Sequence, residues 1–338
     1  MINDCIQALV NDRRDLSEEE AGGAMQAIFT GEATPAQLAA FLIALRLKGE
    51  TVNEVTGMAR VMREHALRVE VDGPLLDTCG TGGDGTGIFN VSTTSAFVAA
   101  GAGARVAKHG NRAMSSGCGS ADVLEALGAK IDLTPEQVAQ CIEKTGFGFM
   151  FAQAFHPAMK YAGPTRREMG VRTVFNILGP LTNPARAQHQ VLGVARPELA
   201  PLMATALQRL GTKHVLVVHG HDGADKLTLD GPCPVFEMNN GQASEYMLSA
   251  TDIGLARADS AATKGGTAEQ NAAIVASVLS GETGPYRDVV LFNTAAALVA
   301  ADISRNPREG LGRAAESIDS GEAKKRMDAF VELSASFA

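Results

Sequence analysis

The residue pattern predicts an α/β protein, with a small all-helical domain followed by a larger domain whose mainly parallel sheet is covered by helices on both faces. Three observations carry this. The first 70 residues show helical spacing and helix-start signals but no β-rich run. From about Leu75, short β-rich runs alternate with helical stretches of about 10 residues, the texture of parallel strands joined by crossover helices. The 338 residues, 45% hydrophobic and 20% charged, suffice for one large core and one smaller one.

Within the first 70 residues, Ser17-Glu-Glu-Glu20 and Thr34-Pro-Ala-Gln37 are capping boxes, the second with proline at the first helical position, and Gly49 stops the run 37–48. That run is apolar around much of its circumference, so it is expected to be buried on more than one side, in the domain or against another subunit. The α/β region, 71–338, is expected to contain strands at 74–76, 105–108, 129–131, 147–151, 191–194 and 214–219, then shorter ones at 227–229 and 235–238. Helices are expected at 93–100, 121–127, 135–145, 199–210, 293–301 and 322–333, with the capping boxes Thr134-Pro-Glu-Gln137 and Thr267-Ala-Glu-Gln270 opening two. Residues 157–184, with four prolines and Arg166-Arg167, break the alternation. They read as a crossover returning to the helical region, which makes the small domain discontinuous: 1–70 with part of 160–185.

Chemistry concentrates in 77–122. Five glycines lie between Gly80 and Gly87, directly after an apolar run. Glycine lets backbone N–H groups approach a bulky anion. Ser92-Thr-Thr-Ser95 then opens a helix whose free N–H groups suit an anion too. A Gly-x-Gly-x-x-Gly match at Gly80, Gly82 and Gly85 lacks the acidic residue about 20 positions on that a dinucleotide site needs, and no Gly-Lys-Ser/Thr follows. A second segment brings Lys108, Asn111 and Arg112, followed by Ser115 and Ser116. A point charge and a guanidinium fork together fit phosphate oxygens. The plainer alternatives are a tight turn for the glycines and helix capping for the serines.

Formal net charge is −8, which disfavours a broad nucleic-acid surface and requires any polyanion to be held locally. The cysteines, Cys5, Cys79, Cys118, Cys141 and Cys233, are odd in number and include no Cys-x-x-Cys pair, so disulfide and zinc frameworks are disfavoured. No run approaches a membrane span, and the first residues lack a basic stretch before an apolar one, so a cytoplasmic protein is expected.

Gly80-Thr-Gly-Gly-Asp84, Asn90-Val-Ser-Thr93 and Lys108-His-Gly-Asn-Arg112 through Ser120-Ala-Asp122 resemble the signature segments of the anthranilate phosphoribosyltransferase family. Arg166-Arg-Glu-Met-Gly170, Phe175 to Pro184 and Gly265 to Asn271 fit as well, so the likeness spans nearly the whole chain. It implies transfer of a phosphoribosyl group from phosphoribosyl pyrophosphate to anthranilate in tryptophan biosynthesis, by a homodimer formed through the helical domain. By this likeness Gly80, Gly83 and Asp84 contact pyrophosphate, while Asn90, Ser92 and Thr93, with the adjoining Ile88 and Val91, meet phosphate and metal. Lys108, His109, Gly110, Asn111, Arg112, Ser115, Ser116 and Ser120 form the second phosphate segment. Arg166, Asn111, Gly80 and His156 match anthranilate contacts; a surface ion pair with Glu168 is the bland alternative for Arg166, and a structural role the alternative for His109 and His156.

The resemblance implies one or two Mg²⁺ ions, held by Ser92 and by an Asp-Glu pair of which Asp225 is the first member. Here Lys226 replaces the usual glutamate. An ammonium cannot ligate magnesium but can neutralise an anion, so altered metal use is expected, with Asp222 or Asp230 as candidate substitutes. Ile88 is a second departure, standing where a hydroxyl is common. Two other readings are a pyrimidine nucleoside phosphorylase and a non-catalytic relative that binds nucleic acid or another polyanion.

Overall fold

A computed structural model describes residues 1–113 and 117–337. Seven strands form one sheet in the order β3-β2-β1-β4-β5-β6-β7. They are β1 (Leu76–Gly80), β2 (Val106–Gly110), β3 (Phe147–Phe151), β4 (His189–Gly193), β5 (His214–Val218), β6 (Cys233–Asn239) and β7 (Gln242–Leu248). β1 to β5 are mutually parallel, whereas β6 and β7 form an antiparallel hairpin at the edge. Asn240 and Gly241, at φ 46° and 84°, make the tight turn that a two-residue hairpin loop demands.

Strand alternation divides the interior. Val191, Leu216 and Val218 face a core with Phe97, Phe147, Phe292 and Phe330, built on helices Val91–Gly101, Pro285–Ala300 and Glu322–Ser336. Leu192, Val194, Val215 and Val217 face the other way, into a core continuous with the N-terminal helices through Met25, Phe41, Phe175 and Met203. The sheet is therefore covered on both faces, and period-two side chains explain why one strand feeds both cores.

Helices Ile2–Val10, Glu18–Phe29, Pro35–Lys48 and Val52–Glu64 make up the N-terminal unit. All four anticipated capping boxes form both reciprocal bonds, and a fifth, unread in the sequence, joins Thr51 and Glu54. Helix Pro35–Lys48 buries Leu38, Phe41, Leu42 and Leu45 on one face only, while Leu47 on another side is 83% exposed. Helix Met159–Met169 returns to pack on Glu18–Phe29 and Pro35–Lys48, and Arg63 is buried where it donates to the carbonyls of Leu181 and Leu210.

Two expected strands do not form. Residues 129–131 are a loop whose Lys130 N–H donates to Ser334 Oγ at 3.2 Å, so the backbone is satisfied from a helix instead of a ladder. At 227–229, the Asn293 amide takes the Leu227 N–H at 3.1 Å and donates to its carbonyl at 2.8 Å, again replacing a strand partner. The first strand also begins later than the apolar run suggests, at Leu76, so that Asp77, Thr78 and Cys79 belong to the sheet.

Candidate functional site

The strand order reverses between β1 and β4, since β1 leads on to β2 at one side and the chain later crosses to the other. Such a switch point opens a crevice beyond the carboxyl ends of the strands. Gly80 and Gly193, partners in register, are the last residues of these two strands.

Gly82 and Gly83 have φ 69° and 70°, a left-handed backbone in which other residues are strained. Their loop is pulled onto the 225–226 turn. Gly82 N–H donates to Asp225 Oδ2 at 2.7 Å, and Asp225 N–H donates to Asp84 Oδ2 at 3.2 Å. A Cβ on Gly80 would lie 2.2 Å from Asp225 Oδ2, so the approach requires glycine there. Lys226 Nζ sits 2.7 Å from Asp84 Oδ2 and 2.7 Å from Asp225 Oδ1, with all three side chains at most 15% exposed. Burial alone would push the Asp84 carboxyl up, but the charge and hydrogen bond of Lys226 outweigh it and hold Asp84 well below its usual range. Burial likewise pulls Lys226 down, and the charges of Asp225 and Asp84 overcome that, keeping it above its ordinary value. For Asp225 burial wins, raising the carboxyl against the pull of Lys226.

Helix Val91–Gly101 follows the loop, and no side chain caps its first turn. Asn90 is occupied instead in accepting from Asn271 Nδ2 at 2.8 Å and donating to the Cys118 carbonyl at 3.2 Å. Ser92 and Ser95 therefore do not cap this helix. Ser92 is half-buried, with Oγ 3.4 Å from Lys108 Nζ, whereas the Thr93 hydroxyl is buried with no partner among the described residues and Val91 is a core side chain. A cavity of about 20 Å³ runs from Ser92 to the Asp225–Lys226 pair. Ile88 pairs with Lys264 in an isolated antiparallel bridge, and the Lys264 ammonium reaches the Thr86 carbonyl.

The second segment divides into buried and exposed halves. Lys108 is 2% exposed and donates to the Thr78 carbonyl, which ties β2 to β1 below the helix start. Burial lowers its pKa, with the nearby Asp77 carboxylate opposing. Asp77 accepts from His109 N–H at 3.2 Å and Asn183 Nδ2 at 2.8 Å. Arg112, expected at the anion, is turned outward: it pairs with Asp122 at 3.2 Å and with Glu125, donating to its Oε1 at 3.0 Å. Ser120 Oγ donates to the Asn111 carbonyl at 3.2 Å and crowds Gly110. Ser115 and Ser116 lie outside the described residues.

On the acceptor side, Gln153 Nε2 lies 3.4 Å from Asn111 Oδ1 and leads into His156. The rings of His156 and His109 are 5.1 Å apart. Burial pushes His156 down to about 4 and, with the neighbouring ring and Lys108 adding to it, takes His109 well below its ordinary value. Both are neutral at pH 7. Arg166 forms no ion pair with Glu168; its guanidinium stacks 4.7 Å over the Phe175 ring, and burial lowers its pKa. It has no acidic partner among the described residues.

Sequence reasoning missed Arg172, whose Nη2 donates to the Gly83 carbonyl at 2.7 Å and links the segment after helix Met159–Met169 to the glycine loop. It also gave no role to Asn271, which holds both Asn90 and the Gly266 N–H, although the Gly265 to Asn271 block had been noticed.

The metal expectation meets a mixed donor set. Ser92 offers a hydroxyl at the rim, enough for a magnesium ion that rides mainly on substrate phosphates. The Asp225–Lys226 position does not fit, because the ammonium stands where an ion would have to reach both carboxylates. Asp222 accepts from Ala224 N–H through Oδ1, while its Oδ2 is buried with no partner among the described residues; Asp230 accepts from Thr228 Oγ1, and no cluster of three or more His, Cys, Asp or Glu suited to a metal occurs among the described residues.

The chain is similar to known proteins over nearly its whole length. Residues 72–324 match the glycosyl transferase family a/b domain, and residues 3–66 match the helical bundle domain of the same family. The anthranilate phosphoribosyltransferase of Chloroflexus aurantiacus is 59% identical over 98% of both chains. That of Roseiflexus castenholzii is 61% identical over 95% of both. The crystal structure of the Thermus thermophilus enzyme of that name superposes with a TM-score of 0.93 at 48% identity, covering 98% of this chain and 99% of that one. The Saccharomyces cerevisiae enzyme in complex with phosphoribosyl pyrophosphate and magnesium gives 0.91 at 28% identity, over 99% and 98%.

Proposed function

We infer, from the membership of this chain in the anthranilate phosphoribosyltransferase family, that it transfers the phosphoribosyl group of phosphoribosyl pyrophosphate to the amino nitrogen of anthranilate. Relatives at 54–61% identity carry that name, and this sets aside the phosphorylase and non-catalytic readings.

We propose that the pyrophosphate lies against the N–H groups of the Gly82–Asp84 turn and the first turn of helix Val91–Gly101. Lys108 supplies a fixed positive charge beneath it. In the reaction the amino nitrogen bonds to ribose C1, the C1–O bond to pyrophosphate breaks and pyrophosphate departs with its electron pair, and the amine sheds a proton to solvent. Negative charge grows on the leaving oxygen, so donors already aimed at that rim lower the barrier without reorganising. Desolvation strengthens their effect, and Lys108 is almost fully buried. Anthranilate is neutral at its nitrogen, so orientation does most of the remaining work. Arg166, held over the Phe175 ring and without an acidic partner among the described residues, suits its carboxylate. His156 and His109, both neutral, line that side as unprotonated rings and leave its charge to Arg166.

One Mg²⁺ arriving on the diphosphate beside Ser92 would screen the departing charge. We further propose a helical domain of residues 1–70 joined by part of 160–185, an α/β domain of 71–338, and a homodimer in which a second copy covers Ile43 and Leu47. No helix among the described residues is long and apolar enough to cross a membrane, and a cytoplasmic site of action follows from the biosynthetic role.

The observation that carries the site is the hydrogen bonding of the glycine loop to Asp225 at the β1/β4 switch point. The test is loss of anthranilate fluorescence on mixing with phosphoribosyl pyrophosphate and magnesium. Turnover is expected; brisk uridine phosphorolysis with no such loss would refute the reading.

A further inference from the structure

In the Asp84–Asp225–Lys226 cluster both carboxylates are fully satisfied by protein donors. Asp84 Oδ1 accepts from Thr86 N–H at 3.2 Å, and its Oδ2 accepts from Thr86 Oγ1 at 3.0 Å, Asp225 N–H at 3.2 Å and Lys226 Nζ at 2.7 Å. Asp225 Oδ2 accepts Gly82 N–H and its Oδ1 meets Lys226. Every oxygen of both carboxylates therefore has a protein donor. A divalent ion entering here would have to strip N–H groups from the loop and sit against an ammonium of like sign, both unfavourable at low exposure. Asp225 itself is closely packed, with its Oδ2 in the space of the missing Gly80 side chain and its backbone in that of Gly193.

We propose that Lys226 is a positioning residue, the resident cation of the glycine-rich loop: its tethered ammonium folds residues 82–86 onto the 225–226 turn and closes that position to divalent metal. The charge count supports the exchange. Asp225 with Lys226 sums to zero, as two carboxylates with one Mg²⁺ would. An ammonium delivers that neutrality with no ion to bind or lose. The loop is thus organised before substrate arrives, and among the described residues Ser92 is where an ion carried by the diphosphate meets the protein. This deepens the phosphate-site reading, on which it rests for its purpose but not for its test.

Two substrate-free measurements decide it: hydrogen exchange of the amides at 82–86 in EDTA and in Mn²⁺, and Mn²⁺ titration followed by electron paramagnetic resonance. In the wild-type protein, exchange at 82–86 is expected to be the same in both buffers, with no tight Mn²⁺. Lys226→Met should exchange about tenfold faster at 82–86 with or without Mn²⁺ while the sheet amides stay protected, and Lys226→Arg should retain most of the protection. Lys226→Glu, which makes three carboxylates, should bind about one Mn²⁺ more than wild type and recover loop protection only when it does. Mn²⁺-dependent loop protection in the wild type, or a Lys226→Met loop as protected as wild type, would overturn the proposal. Failure of the fluorescence assay with these results intact would instead count against the phosphate-site reading alone.

Discussion

The two segments that flank the cleft are held in opposite ways. The glycine loop is fixed by charges facing inward, with Asp84, Asp225 and Lys226 sharing one buried cluster. The second segment splits its cations, burying Lys108 beneath the helix start and leaving Arg112 on surface carboxylates with a side chain that is 42% exposed. Both stretches look like anion binders by composition. The difference teaches that a cation's weight in such a site depends on how far it is from water, which composition does not state.

That contrast can be broken most readily at Lys108. Lys108→Met should lower kcat/KM by about 10³-fold by removing the buried positive charge, and should lower unfolding free energy by about 3 kcal/mol because the Thr78 carbonyl loses its donor and the buried Asp77 a nearby opposite charge. Steady-state kinetics and urea denaturation would check both. Equal damage from Arg112→Gln would erase the distinction between the two halves.

Arg166→Ala sharpens the assignment of sides. It should raise KM for anthranilate by about 10- to 100-fold, the worth of charge-assisted hydrogen bonds, with KM for phosphoribosyl pyrophosphate unchanged. A rise in both would place this guanidinium elsewhere.

The glycine loop predicts its own pH behaviour. Asp84 has a folded pKa below its unfolded value, so its contribution is present above about pH 4 and is lost as pH falls through the folded pKa. The gap in urea midpoint between wild type and Asp84→Asn should therefore be constant from about pH 8 to pH 5 and shrink below about pH 4. A gap that closes on raising the pH would have the wrong sign. The smallest effect is expected for Arg112→Gln: under about 1 kcal/mol in stability and within about threefold in kcat/KM, as for other exposed ion pairs.

Much of this arrangement was legible in the sequence for identifiable reasons. Capping boxes such as Thr34 to Gln37 and Thr134 to Gln137 are local devices, and they formed as read. Strands 147–151 and 214–218 are continuous apolar runs flanked by turns, the mark of strands buried on both faces. Residues 129–131 and 227–229 misled because a short apolar run reports burial, and burial was correct. Ile131 and Leu227 are core residues whose backbones, or whose neighbours' backbones, find Ser334 and Asn293 instead of a strand. The Asn240-Gly241 hairpin was signalled by its dipeptide and overlooked.

In the site, glycine spacing located the loop because close approach and left-handed backbone are glycine's own demands. The clamp was out of reach, since Asp84 and Lys226 are 142 positions apart and only the fold brings them together. Lys226 could be seen as an anomaly but not as part of an ion pair. The same holds for Arg172 on Gly83, a contact across 89 positions with no local signature.

On this reading, two strand-end segments meet at one rim of the sheet to grip a sugar phosphorylated at both ends. A crystal structure with phosphoribosyl pyrophosphate bound tests it most directly. Pyrophosphate is expected against the Gly82 to Asp84 turn and the Ser92 helix start, above the Lys108 ammonium. A sugar bound away from that turn, or Gly83 and Lys108 on opposite sides of the ligand-bound molecule, would contradict it.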